Sequence, residues 1–177
     1  MSLPSKCVVD TNVPKVANLA TQSDPESDFP ETCVEACVDA VGHVVRTRGL
    51  ILDAGNEIYD EYMGNLAAWS QQPGVGDIFM KWVHDRRGSL NASQKVSITR
   101  NGDSYDEFPH HDGLENFDIS DRKFVAVSNA HPEKPAILQA TDSKWWGWKE
   151  ALKECGIEVA FLCPDYVEAK FAGKLGR

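Results

Sequence analysis

The chain has 177 residues, of which 42% are hydrophobic and 25% charged. That is the size and composition of one globular domain with a core of its own. Its net charge of −9 and pI near 5.0 exclude a protein that grips nucleic acid by bulk charge, and no apolar run approaches the roughly 20 residues needed to cross a bilayer.

The elements read as follows from the N-terminus. Cys7-Val8-Val9-Asp10 is a short buried strand ending in an acid, and a helix starts near Pro14 and runs to about Ala20. The polar, proline-containing stretch 22–30 is a loop. Glu31 or Thr32 opens a helix whose apolar positions, Val34, Cys37, Val38, Val41, Val44 and Val45, recur with the 3.6-residue period until Gly49. Leu50-Ile51-Leu52 is a second strand, and a helix from about Asn56 runs through Tyr62 to Trp69. After a turn at 71–76, a helix spans Asp77 to Arg87 with Ile78, Phe79, Trp82 and Val83 inward.

Residues 88–117 are the least regular part, with one strand expected at Val96 to Thr99. Asp118 caps a helix through Ala130; Ala136 to Ala140 is a strand, Lys144 to Cys155 a helix ending at Gly156, and Ile157 to Leu162 a last strand broken by Pro164. A short helix is expected in the tail, 164–177. Strands alternating with helices imply a parallel sheet with helices on both faces. In such sheets ligands bind outside the carboxyl ends of the strands, which is where Asp10 and Asp142 fall.

Met1 to Cys7 lacks the basic and apolar regions of a signal peptide, so a cytoplasmic protein is expected. The five cysteines, Cys7, Cys33, Cys37, Cys155 and Cys163, are odd in number and irregular in spacing. They read as small buried thiols rather than a zinc site, because no second Cys or His pair completes a tetrahedron around Cys33 and Cys37.

The acids carry the chemistry. On the helix from Asn56, at about 100° per residue, Glu61 borders the apolar stripe of Ile58, Tyr62 and Leu66. Glu57 and Asp60 turn toward solvent. Asp118 suits a helix cap, whereas Asp121 lies one turn before Phe124 and Val125 on a partly buried face. A carboxylate there needs a partner, and a metal ion would be one. Thr141-Asp142 repeats the pattern of the first strand, an apolar run followed by small polar residue and acid. Asp10, Glu61, Asp121 and Asp142 could thus converge on one cleft, with the oxygen ligands that hard cations such as Mg²⁺ or Mn²⁺ prefer. A cation so held makes a carboxylate cluster attractive to phosphate.

Val8-Val9-Asp10-Thr11-Asn12, Ile58-Tyr59-Asp60-Glu61-Tyr62, Asp118-Ile119-Ser120-Asp121-Arg122-Lys123-Phe124 and Ala140-Thr141-Asp142 follow the order and spacing of the PIN domain. The chain resembles that family over about residues 6–163. The resemblance implies one domain with a three-layer α/β/α Rossmann-like fold and a mostly parallel central sheet, with 88–117 as a family-variable insertion. It implies Asp10, Glu61, Asp121 and Asp142 as the catalytic, metal-binding acids, with Asn12, Thr141 and Asp118 supporting them. The implied activity is a Mg²⁺- or Mn²⁺-dependent endoribonuclease acting on single-stranded RNA through metal-activated water, leaving 5′-phosphate and 3′-hydroxyl ends. Many members are toxins paired with an antitoxin; an antitoxin, another protein partner and a homodimer all stay open, as does an inactive PIN-like module that binds without cutting. The chain departs from the family at Lys144, where many members carry a further acid, and at Ser128, where alanine is common.

Other signals are weaker. Lys81, Arg86 and Arg87 could contact an RNA backbone or simply face solvent. Trp145, Trp146 and Trp148 could stack bases, although helical spacing sends at least one to the core. His110-His111 reads as solvated loop, and Gly74-Val75-Gly76 follows no strand, so it is not a nucleotide loop. A phosphatase of the HAD type needs a second acid two residues after Asp10, and Asn12 stands there.

Overall fold

The computed structural model describes residues 2–176. In chain order its elements are β1 (Cys7–Val9), α1 (Asn12–Ala17), α2 (Glu31–Thr47), β2 (Leu52–Asp53), α3 (Glu57–Asn65) and α4 (Val75–Arg86). There follow β3 (Lys95–Val96), β4 (Arg100–Asn101), β5 (Ser104–Tyr105), α5 (Arg122–Ala130), β6 (Ala136–Gln139), α6 (Lys144–Glu154), β7 (Val159–Phe161) and α7 (Pro164–Leu175). The chain is mixed α/β, about 52% helical.

Its central sheet is parallel, in the order β1-β6-β7, with Val8 opposite Ile137 and Leu138 opposite Ala160. Val8, Val9, Ile137 and Leu138 are all fully buried, as a parallel sheet covered on both faces requires. α5 lies against β1 and β6, and α6 against β7 and α7. On the other side of β1 the chain at Leu50 makes a parallel bridge to Cys7, and two residues later β2 pairs in parallel with β3.

Asp77 secures the junction of α4 with the N-terminal helices. Its buried carboxylate accepts hydrogen bonds from the backbone N–H of Ala67 (2.8 Å) and Gly74 (3.0 Å) and from the side-chain amides of Asn18 (3.1 Å) and Gln22 (3.2 Å). Burial alone would push this carboxyl up, but the donors of Ala67, Gly74, Asn18 and Gln22 outweigh it and hold it below the ordinary value.

Several expectations are corrected. α3 ends at Asn65, so Trp69 lies outside it, 59% exposed and edge-on to His84. Ile78 points outward on α4, and Met80 takes the inward place beside Phe79 and Val83. In 88–117 the expected strand shrinks to Lys95–Val96, and a small antiparallel hairpin, β4–β5, turns through Gly102 at φ 60°. The tail helix is not short: α7 has 12 residues and begins on Pro164, at the first-turn position where the missing N–H costs nothing. Finally, Cys33 and Cys163 are not free thiols but a disulfide across a sequence separation of 130, with Cys37 buried beside it. Sequence spacing could not reveal that the chain just after β7 returns to the start of α2. Among the described residues, no helix is long and apolar enough to cross a membrane.

Candidate functional site

The acidic pocket forms where β1 and β6 end side by side. Their parallel pairing runs to Val9 beside Leu138, and the Asp10 N–H continues it by donating to the Leu138 carbonyl at 3.0 Å. Asn12 then ties the two strand ends together. Its side-chain carbonyl accepts from the Ala140 N–H at 3.0 Å, and its amide donates to the buried Gln139 side chain. Asp10 and Asp142 consequently face one cavity of about 300 Å³, which Glu61 from α3 and Asp121 from the start of α5 also line. The four acids read from the sequence are thus brought together, with Asn12 and Thr141 at the same wall.

Each carboxylate is aimed by a neighbour. Asp10 accepts the Asn12 N–H at 2.9 Å and Asp142 the Lys144 N–H at 2.9 Å, both through Oδ1, so Oδ2 of each lies outside these bonds. The Trp145 indole N–H donates to Asp121 at 3.0 Å, which anchors α6 to the beginning of α5. Burial pushes Asp10 well above the usual carboxylate range, and the Asp121, Glu61 and Asp142 charges add to it against the Asn12 amide. Burial likewise drives Asp121 up to about 6; the Trp145 donor opposes this, while Asp118, Asp142 and Glu61 reinforce it. Burial is the leading cause at both carboxyls and the crowding of like charges adds to it; a divalent cation among these oxygens would relieve the crowding.

Glu61 differs from the other three. One of its oxygens accepts from the Thr11 hydroxyl at 2.6 Å, and the other pairs with Lys123, whose ammonium also donates to the Ser120 carbonyl. Lys123 is 9% exposed and lies on α5 two residues beyond Asp121. Sequence reasoning missed this lysine, although a cation followed by Phe124-Val125-Ala126-Val127, a run that is wholly buried, was a signal that it pairs inside. Tyr62 was also missed as a support; its buried hydroxyl donates to the Val9 carbonyl just before Asp10.

The donor set suits a hard cation. Asp10, Asp121 and Asp142 line one cavity with carboxylates and no sulfur or imidazole beside them. Among the described residues, however, no three of the cavity acids bring oxygens within 4.8 Å of one another, so closing on one cation requires their side chains to move inward. Asp118 stands back from the cavity wall. It caps the turn at Ser120 (3.1 Å) and takes the Lys144 ammonium at 3.0 Å, which draws that cation out to the rim. Glu57 pairs with Arg100 rather than standing free.

The basic residues singled out in the sequence do not reach the cavity. Lys81 pairs with Asp85 at 2.7 Å, Arg87 lies over the Tyr59 ring at 3.7 Å, and neither they nor Arg86 line the pocket. The cations that do line it are Lys15 from α1 and Lys170 from α7, with the aromatic ring of Phe29 from the loop before α2. No tryptophan ring lines the cavity: Trp145 is fully buried and meets the site only through its N–H to Asp121, Trp146 carries Lys149 on its ring at 3.3 Å, and Trp148 packs on Phe117. His111 pairs with Glu154 at 2.7 Å. No protein-family model, curated protein or solved structure gave a significant match to the chain.

Proposed function

We propose that the chain is a Mg²⁺- or Mn²⁺-dependent endoribonuclease of the PIN type, with the three-layer architecture of that family and single-stranded RNA as substrate. The observation that supports this reading most is the shared cavity of Asp10, Glu61, Asp121 and Asp142 at the carboxyl ends of adjacent parallel strands. Asp10, Asp121 and Asp142 would hold the cation. When bound, it supplies Lewis-acid activation of water and neutralises charge at the phosphorus. The protein's own groups do the positioning: Trp145 steadies Asp121, Asn12 locks the strand ends, and Thr11 with Lys123 fixes Glu61 at the edge of the site. Water adds to phosphorus as the bond to the 3′ oxygen breaks; the water gives up a proton to solvent and the departing oxygen takes one, leaving a 5′-phosphate and a 3′-hydroxyl.

A specific observation favours a second reading, a PIN-like module that binds RNA or a partner without cutting. Both oxygens of Glu61 are already engaged, by the Thr11 hydroxyl and by the Lys123 ammonium, which leaves three acids without a cation paired to them among the described residues.

The deciding experiment incubates an unstructured, end-labelled RNA with the chain in Mn²⁺ or Mg²⁺ and in chelator. Cleavage is expected with metal alone, and Asp10→Asn and Asp142→Asn should each slow it about 100-fold or more, the usual scale for loss of one electrostatic group at a reacting centre. Intact RNA with native chain and metal would leave the non-cutting module as the answer.

A further inference from the structure

Phe29 stands between two cavities. On one side is the acid pocket, and on the other a larger hollow of about 730 Å³ between the chain at Leu19 and α2. The hollow has an apolar floor of Leu19, Val34 and Val38, and carboxylates at Asp24, Glu35 and Asp39. None of those carboxylates forms a salt bridge among the described residues, and no lysine or arginine occurs in residues 16–45. The hollow therefore repels a phosphodiester backbone but suits a flat, apolar-faced group that carries N–H donors.

Phe29 is held for such a role. The Tyr166 ring meets it edge-on at 5.6 Å, and the Tyr166 hydroxyl reaches Asp28 at 3.4 Å. The Cys33–Cys163 disulfide joins the two segments that carry these rings. On the acid-pocket side, Lys15 and Lys170 are exposed and have no carboxylate partner among the described residues. Lys15 donates to Asn65 at 3.3 Å and Lys170 to the Tyr166 hydroxyl at 2.7 Å.

We propose that Phe29 is the stacking wall of a base-binding subsite in the hollow, while Lys15 and Lys170 engage the backbone phosphates beside the acid pocket. This rests on the ribonuclease reading for what happens to the strand, but the binding itself does not. The ligand class follows from the chemistry. The base must be unpaired to leave its neighbours and stack on Phe29. The carboxylates of the hollow accept from exocyclic amino groups, so adenine, cytosine and guanine are favoured over uracil, which has no amino group.

The test measures binding by fluorescence anisotropy in chelator, using oligouridine strands with one central adenosine, cytidine, guanosine or abasic residue. The amino-bearing bases are expected to bind about tenfold tighter than the uridine and abasic strands, the scale of one hydrogen bond to a charged acceptor, which forms only while the base is held against the Phe29 ring. Phe29→Ala should erase that difference and Phe29→Trp should retain it. Lys15→Gln and Lys170→Gln should each weaken all strands alike and flatten the salt dependence by about 0.7 in log–log slope, the value for one phosphate contact on a single strand. Base preference that survives Phe29→Ala, or equal binding of all strands, overturns the subsite. So does Phe29-dependent capture of an amphipathic Lys/Leu peptide with no RNA binding, which would make the hollow a protein-docking groove. RNA bound in the expected pattern yet left intact after Mn²⁺ is added keeps the subsite and retires the nuclease. Cleavage indifferent to Phe29, Lys15 and Lys170 does the reverse.

Discussion

Replacing Asp121 by asparagine should stabilise the metal-free protein and abolish its response to metal. Burial and the charges of Asp118, Asp142 and Glu61 hold this carboxyl at about 6 against an ordinary 3.8. The folded state therefore takes up the proton before the unfolded state does, and the metal-free chain gains stability as pH falls from about 6 toward 4. At neutral pH the charged form costs the fold up to about 3 kcal/mol, and solvent screening at a partly exposed group reduces this to about 1–2 kcal/mol. The amide introduced by Asp121→Asn would keep an oxygen to accept the Trp145 N–H and carry no charge. In chelator at pH 7 the variant should melt about 2–8 °C above the native chain, given about 2–4 °C per kcal/mol at this length. With about 5 mM Mn²⁺ and a dissociation constant on the order of 0.1 mM, the native chain should gain about 2 kcal/mol while the variant gains little. Paired melting curves by circular dichroism, in chelator and in Mn²⁺, read both effects. An Asp121→Asn chain that melts below the native one in chelator, or an equal rise of both with Mn²⁺, contradicts this account.

Asp77→Ala removes the acceptor of four hydrogen bonds and should cost about 2–4 kcal/mol in urea unfolding at pH 7. Because the folded carboxyl lies below its ordinary value, that contribution is present above about pH 4 and is lost as pH falls through the folded value, so the two chains should converge in acid. Lys123→Met strips the cation from Glu61, whose side chain is 23% exposed. It should destabilise the metal-free chain by about 2–4 kcal/mol, and Lys123→Met with Glu61→Gln should recover part of that loss, both read from urea unfolding in chelator. Reducing Cys33–Cys163 opens a loop with a sequence separation of 130, worth at most about 5 kcal/mol by chain entropy. A melting temperature unchanged by dithiothreitol would show that the crosslink contributes nothing.

How far the sequence can be read depends on whether the signal is local. Val8-Val9 and Ile137-Leu138 announce themselves as buried parallel strands because both faces are apolar. The acids at their ends follow directly, since the rule for parallel sheets supplies the third dimension that sequence lacks. Glu61 borders the apolar stripe of its helix and is a partly exposed residue of the cavity. What is invisible comes from pairings across long separations. Nothing near Lys123 in the chain says that it meets Glu61, 62 residues earlier, and nothing near Phe29 says that α7 brings Tyr166 and Lys170 to its side. Local composition points instead to Lys81, Arg86 and Arg87, none of which lines the cavity, and to the tryptophans as stacking faces, of which only Trp145 reaches the site, through its indole N–H to Asp121. Ile78 illustrates the same limit at the scale of one turn: Phe79 and Val83 belong equally to a stripe with Ile78 and to one with Met80, and packing against the rest of the fold selects the second.

The adjacency of β1 and β6 has a bearing on biosynthesis. A strand laid down at Cys7–Val9 waits for its partner at Ala136–Gln139, so everything between them must leave the ribosome before the acids can gather. Chains grow N-terminus first, and long-range parallel pairings are slow to form. A still-growing product thus carries Asp10 and Glu61 without Asp142, and the four-carboxylate cavity cannot be completed until that whole stretch has been made.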